Sequence, residues 1–268
     1  MIAAGHRPVF VDIDESCLMC FDDLKRKFDL LRPYVRAVIG VDLYGQPIFR
    51  GKLEAFCRSN NLKLVIDSAQ SYGSKHPGTQ NKVEIDRQCL SFNPLKNWGG
   101  IGGGAVIAPE EAQFNLHAAT HEGKVGGQVW RHGINMRMDN IQAAVLMAKY
   151  DYYKEHINRK GEIHLAYRRA FPEDIMPYAS AMHTWDPYVS VIFPENADEV
   201  RSALDAAGIE HRSHYALPLH MEPYFKDHPR DCPRAEALAG KIITLPNHWH
   251  LRDDQVHQII DVVSRSIS

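Results

Sequence analysis

The 268-residue sequence contains no apolar run near the roughly 20 residues that a membrane-spanning helix needs. Residues 1–8 lack the basic, then apolar, then small pattern of a secretory leader, so the expected location is the cytoplasm. Charge of either sign is not in excess: 31 Lys and Arg face 33 Asp and Glu, a net charge of -2. That balance leaves no electrostatic footprint for nucleic acid or an anionic membrane surface, and points to small molecules or other proteins as partners. Cysteine is sparse: five thiols, an odd number scattered along the chain, fit reduced cysteines better than a disulfide framework. Repeats and low-complexity tracts are absent as well. An apolar content of 44% is enough to bury one substantial core, or a large core and a smaller one.

The first half alternates strand and helix signals. Residues 8–13 (PVFVDI), 37–43 (AVIGVDL) and 63–67 (KLVID) are short β-rich runs, separated by helical stretches around 20–28 and 48–59. Such alternation predicts βαβ units and a mainly parallel sheet. Strands follow at 89–92 and 104–108. A long helix, or two, is expected over 138–170, where Ile141, Val145, Ala148, Tyr152 and Ile163 recur among polar residues. The remainder reads as a smaller α/β unit, with a strand at 188–193, a helix at 197–207 ended by Gly208, a strand at 242–245 and a final helix at 253–264. The expected division is 1–150 for the large domain and 151–268 for the linking helix and small domain.

Residues 91–100 (SFNPLKNWGG), running into Gly102, Gly103 and Gly104, place one lysine, Lys96, on a turn between two strand signals. Upstream, residues 64–70 (LVIDSAQ) form a short apolar strand that delivers a carboxylate, Asp67, and then an amide, Gln70, at its C-terminal end. A lysine and an aspartate placed this way suit pyridoxal phosphate chemistry. The lysine forms a Schiff base with the cofactor aldehyde, and the aspartate keeps the pyridine nitrogen protonated so that the ring can accept electrons.

Five segments in order then resemble the DegT/DnrJ/EryC1/StrS family of sugar aminotransferases: residues 3–12 (AAGHRPVFVD), 41–47 (VDLYGQP), 67–73 (DSAQSYG), 91–105, and 132–138 (HGINMRM) with 141–144 (IQAA). Residues 208–209, 214–220 (HYALPLH) and 244–246 (TLP) continue the likeness. The resemblance implies an α/β chain with the pyridoxal-phosphate-dependent aminotransferase fold of type I, whose large domain is incomplete. It also implies that Lys96 is the Schiff-base lysine and proton shuttle, and that Asp67 pairs with the pyridine nitrogen. Gln70 would lie near the cofactor ring and Ser91 would hydrogen-bond the phosphate. Asn135 would reach the phosphate of a neighbouring subunit, making a homodimer part of the mechanism, and His220 would contact the sugar. The implied reaction moves an amino group, from glutamate, to a nucleotide-linked keto-sugar.

Proteins of this kind carry, upstream of the region matching residues 3–5, a Gly-Thr turn for the phosphate and an aromatic ring that stacks on the cofactor. Because neither is found here, the expectation is a weakened phosphate anchor; because at least one early strand and several helices of that fold are also missing, the chain is expected either to expose an apolar patch of the sheet or to recruit a partner that hides it. The alternative reading is a non-catalytic dimerising relative that no longer holds the cofactor. A third is a nicotinamide-dependent oxidoreductase, since residues 100–105 (GIGGGA) satisfy G-x-G-x-x-A, although a strand rather than a phosphate-binding helix is expected after them. Cys17 and Cys20 have C-x-x-C spacing without a second pair. His211, His214, His220, His248 and His250 match no zinc spacing, so no metal is expected.

Overall fold

The computed structural model describes residues 1–74, 87–176 and 186–267. Helix α1 (Phe21–Leu31) places Leu24 and Phe28 on one buried face, with Asp22 and Asp23 in its first turn where negative charge complements the helix dipole. Pro33 prevents its continuation. Strands β1 (Ala37–Val41) and β2 (Lys63–Asp67) alternate buried and accessible positions and pair in parallel with Val41 beside Asp67. Helix α2 (Arg50–Ser59) crosses between them and buries Leu53 and Cys57. Its close approach needs a glycine in the strand: a Cβ on Gly40 would lie 3.1 Å from Leu53 Cδ1 and 3.2 Å from Ile66 Cδ1.

Strand β3 (Arg87–Ser91) adds parallel to β2, and β4 (Gly104–Ile107) adds antiparallel to β3, giving the order β1-β2-β3-β4. The carboxyl ends of three parallel strands therefore share one edge, which carries Asp42 just after β1, Asp67 at the end of β2 and Ser91 at the end of β3. Ligands of open α/β sheets bind beyond that edge. Helix α3 (Glu110–Thr120) and a short hairpin of β5 (Lys124–Val125) and β6 (Gln128–Val129) follow.

Helix α4 (Asn140–Ala170) is one continuous 31-residue helix, started by a capping box in which Asp139 and Gln142 satisfy each other's backbone donors. Its buried stripe is Leu146, Tyr153, Ile157, Lys160, Ile163, His164 and Tyr167. The apolar positions legible at its start lie elsewhere, for Ile141, Ala148 and Tyr152 are exposed. The expected boundary at 150 falls inside this helix. Strand β7 (Ser190–Ile192), helices α5 (Ala197–Ala206) and α6 (Pro233–Ala239), strand β8 (Ile243–Leu245) and helix α7 (Asp253–Ser266) complete the chain, with β7 antiparallel to β8 and both fully buried.

Two apolar cores result. One joins α1, α2, β1 and β2 through Leu24, Phe28, Leu53, Leu64 and Ile66. The other joins the second half of α4 to β7, β8, α5 and α7, and also takes in Cys17 and Tyr44 from the first half of the sequence. Each fully buried Ile or Leu in them contributes about 1.5–3 kcal/mol.

Residues 8–13 are not a strand. Asp12 is drawn instead to the start of α6, where its two carboxylate oxygens accept from the backbone N–H groups of Arg234 and Ala235, each at 3.0 Å. The only ladder contact recorded for this stretch is the isolated bridge between Ile13 and Met19.

His164 is buried on the α4 stripe, with Nδ1 3.0 Å from Ser190 Oγ. Burial, aided by the charge of Arg168, pushes its pKa down to about 3. The unfolded chain takes up this proton near pH 6.5 and the folded chain does not, so His164 costs stability as pH falls through the window from 6.5 to about 3. The penalty grows by at most about 1.4 kcal/mol per pH unit. His164→Gln should flatten the pH dependence of the denaturation midpoint in that window relative to wild type. Parallel pH profiles would show that His164 is not held neutral.

Candidate functional site

Strand β1 runs straight into Asp42, whose side chain is wholly buried. Its oxygens accept from the backbone N–H of Ile48 (2.9 Å), Arg50 (2.7 Å), Ser68 Oγ (2.7 Å) and Ser71 Oγ (2.7 Å). A buried carboxylate is tolerated only when its lone pairs are filled in this way. The cluster ties the end of β1 to the loop after β2, and so fixes where Asp67 and Gln70 emerge. Asp67 is half-buried and accepts the backbone N–H of Ala69 at 3.0 Å, an Asx turn that bends the chain away from the sheet edge.

Gln70 is engaged at both ends: Oε1 accepts from the Tyr44 backbone N–H at 2.7 Å, and Nε2 donates to the Tyr215 hydroxyl at 2.9 Å. It thereby links the sheet edge to the 214–220 segment. The neighbouring turn depends on Gly45, held at φ 94°, where a Cβ would sit 2.3 Å from the Asp186 carbonyl oxygen.

Lys96 stands on the turn after β3, which is closed by Lys96 N–H to Asn93 O (2.9 Å) and Gly100 N–H to Phe92 O (2.9 Å). Gly99 permits that closure, since a Cβ there would lie 2.2 Å from Asn93 O. Two neighbours of Lys96 dock on α4. Trp98 Nε1 donates to the Leu146 carbonyl at 3.0 Å, and Asn97 Oδ1 accepts from Lys160 Nζ at 2.6 Å. The Lys96 amine sits 4.5 Å from the centroid of the Tyr188 ring. Its pKa is held below the ordinary lysine value by burial, while the negative charge of Asp67 acts in the opposite direction and more weakly. The structure thus brings Lys96 and Asp67 within electrostatic reach at the carboxyl edge of the sheet.

The other expected residues are placed as follows. Ser91 Oγ, at the end of β3, accepts from the Asn93 N–H at 3.3 Å. Asn135 is exposed, and its Oδ1 takes the local N–H and Nε of Arg137, each at 3.4 Å. His220 is buried, with Nε2 2.9 Å from Glu236 Oε1 and its ring 5.9 Å from that of Phe10. These contacts tie His220 into the packing of the 8–13 stretch and α6.

Tyr188, Lys160, Asn97 and Tyr215 were not legible as site residues. Lys160 alone left a trace, since it stands in register with Tyr153, Ile157 and Tyr167 on the buried stripe of α4. The glycine run 100–105 leads directly into β4, so no helix N-terminus follows it to receive a dinucleotide phosphate. Among the described residues, no group of three or more His, Cys, Asp or Glu side chains is arranged to hold a metal ion. Cys17 is buried, and its thiol is pushed up to about 12, chiefly by desolvation.

An open α/β sheet whose carboxyl edge brings a half-buried amine within electrostatic reach of a carboxylate offers the kind of groups that lysine chemistry uses. The chain belongs to the DegT/DnrJ/EryC1/StrS aminotransferase family, whose sequence model matches residues 1–264. It is 33% identical over 275 residues to dTDP-3-amino-3,4,6-trideoxy-alpha-D-glucose transaminase of Streptomyces venezuelae, covering 97% of this chain and 71% of that protein. It is 27% identical over 286 residues to UDP-N-acetyl-3-dehydro-alpha-D-glucosamine 3-aminotransferase of Acidithiobacillus ferrooxidans, covering 100% of this chain and 73% of that protein. Among solved structures, a DegT DnrJ EryC1 StrS aminotransferase from Brucella abortus superimposes with a TM-score of 0.89 at 29% identity, over 98% of this chain and 74% of that one.

Asp42→Asn should lower stability by about 3 kcal/mol, because it leaves the Arg50 guanidinium without its buried counter-charge. Chemical denaturation reads this directly, and a loss under about 1 kcal/mol would mean that Asp42 does not organise the edge.

Proposed function

We propose that the chain is a pyridoxal-phosphate-dependent transaminase that places an amino group, taken from glutamate, on a nucleotide-linked keto-sugar. The observation that carries this reading is the Lys96 amine, half-buried on the turn after β3, depressed in pKa and within charge reach of Asp67.

The residues present suit the cofactor by their chemistry. Lys96 supplies an amine that is neutral more readily than a solvated lysine, and Asp67 supplies a carboxylate for a protonated pyridine nitrogen. Ser91 brings a hydroxyl donor to the same edge for a phosphate. When bound, pyridoxal phosphate supplies the electron sink that amino transfer needs. Asp67 would pair with the ring nitrogen, and Lys96 Nζ would serve as the base that takes and returns the proton at the reacting carbon, in the forward sense for the donor and in reverse for the keto-sugar. Gln70, fixed between Tyr44 and Tyr215, couples the cofactor side of the site to the 214–220 segment, where the sugar would lie. The names of the relatives, both transaminases of nucleotide-linked sugars, favour this reading over a non-catalytic dimerising relative.

A homodimer belongs to the same proposal. Asn135 is exposed rather than committed to its own chain's interior, and the edge strand β4 exposes Val106 and Ile107. On α4, Ile141 and Met147 are exposed as well, and a second copy would cover apolar positions of this kind. Among the described residues no helix is long and apolar enough to cross a membrane, which agrees with work in the cytoplasm.

Lys96→Ala should lower amino transfer from glutamate to a nucleotide-linked keto-sugar by about 10²–10⁴-fold or more. Its thermal melt should stay within a few degrees of wild type, since the side chain is only half-buried. Turnover by this variant at the wild-type rate would sink the assignment.

A further inference from the structure

Lys160 is a buried lysine in the middle of the stripe that α4 turns toward the rest of the chain. Methionine would fill such a position without the desolvation cost of a charge, which is several kcal/mol for an ion in a protein interior. The side chain is therefore explained by what it holds. Lysine offers three donors and no acceptor, and two acceptors converge on Nζ: Asn97 Oδ1 at 2.6 Å and the Tyr188 carbonyl at 2.8 Å. Asn97 directly follows Lys96 in the chain, and the Tyr188 ring is the surface on which the Lys96 amine rests. One amine thus grips both the turn that carries Lys96 and the residue that Lys96 packs against.

The grip is braced on its far side. Asn97 Nδ2 donates to the Asp186 carbonyl at 3.2 Å, and the Tyr188 N–H donates to Tyr44 O at 3.0 Å. Tyr44 also donates its backbone N–H to Gln70, so the chain of contacts returns to the sheet edge. Burial pushes the Lys160 pKa down to about 7, and the negative charge of Asp186 opposes that shift more weakly.

We propose that Lys160 is a positioning residue, whose bridge between Asn97 Oδ1 and the Tyr188 carbonyl clamps the Lys96 turn against the Tyr188 ring and so presents the Lys96 amine to the site. Its value to catalysis rests on the reading of Lys96 as the reacting lysine, whereas the clamp itself is a property of the cofactor-free chain. Loss of the clamp frees the turn and lets the Lys96 amine move into water, and relief of its burial raises the pKa of Lys96.

The test is a side-chain NMR titration of the cofactor-free chain carrying ¹³C-labelled lysine, with the Lys96 signal assigned by its absence in Lys96→Arg. In wild type, Lys96 should titrate below the exposed lysines. In Lys160→Met its midpoint should climb by about one pH unit, and in Lys160→Arg, which restores a donor to both acceptors, it should fall back. Asn97→Ala opens the clamp from the other end and should reproduce the climb even if Lys160→Met folds poorly, and combining the two should add little. A Lys96 midpoint unmoved in folded Lys160→Met or in Asn97→Ala overturns the proposal. Treatment of wild type with pyridoxal phosphate and borohydride separates the two claims. Absence of a label on Lys96 would remove the cofactor reading, while the titration would still decide the clamp.

Discussion

The site depends on how a single turn is held. Residues 93–100 connect a parallel strand to an antiparallel one, and such a loop is free to move unless other elements pin it. Here α4 pins it twice, through the Leu146 carbonyl to the Trp98 indole and through Lys160 to Asn97. Aromatic packing fills the space between, with the Trp98 ring 4.7 Å from Tyr72, 5.2 Å from Phe92 and 5.3 Å from Tyr150. The turn closes on its own backbone hydrogen bonds, and the long helix anchors it to the rest of the chain.

The same helix carries this anchorage into the C-terminal core. Its second half supplies Ile163 and Tyr167 to the C-terminal core, and the Tyr167 hydroxyl donates to Pro246 O at 2.8 Å beyond β8. Its middle, from Leu146 to Lys160, carries the contacts to the Lys96 turn. Tyr44 belongs to the C-terminal core by packing and to the sheet edge by its hydrogen bond to Gln70. Chemistry at the sheet edge and packing of the C-terminal unit are therefore mechanically connected through α4 and Tyr44. The Gln70 to Tyr215 hydrogen bond adds a third link, to the 214–220 segment.

The sequence revealed those parts of the fold that follow from local pattern. Strand β2 falls on the expected residues 63–67, and α2, α5 and α7 lie within a few residues of their predicted limits, because alternating or 3.6-residue periodicity governs each. Residues 8–13 fail for a tertiary reason. They have the composition of a strand, but Asp12 is worth more as the acceptor for α6, more than 200 residues away. Helix α3 carries a weakly amphipathic pattern and α6 is only seven residues long, so neither offered a periodic signal. At the site, Lys96 and Asp67 stood out only as an ordered set and through the family resemblance, since a turn lysine alone reads as solvated and a strand-end aspartate alone as a cap. Lys160 and Tyr188 did not, since a lysine in a polar helix reads as solvated until the neighbouring elements bury it.

The most direct test of the central claim is a visible absorption scan of the purified chain mixed with pyridoxal phosphate, followed by borohydride reduction and peptide mass mapping. The account predicts a new visible band that disappears on reduction, with the pyridoxyl mass confined to the peptide containing Lys96. Absence of the band, or a label spread over surface lysines, would contradict it.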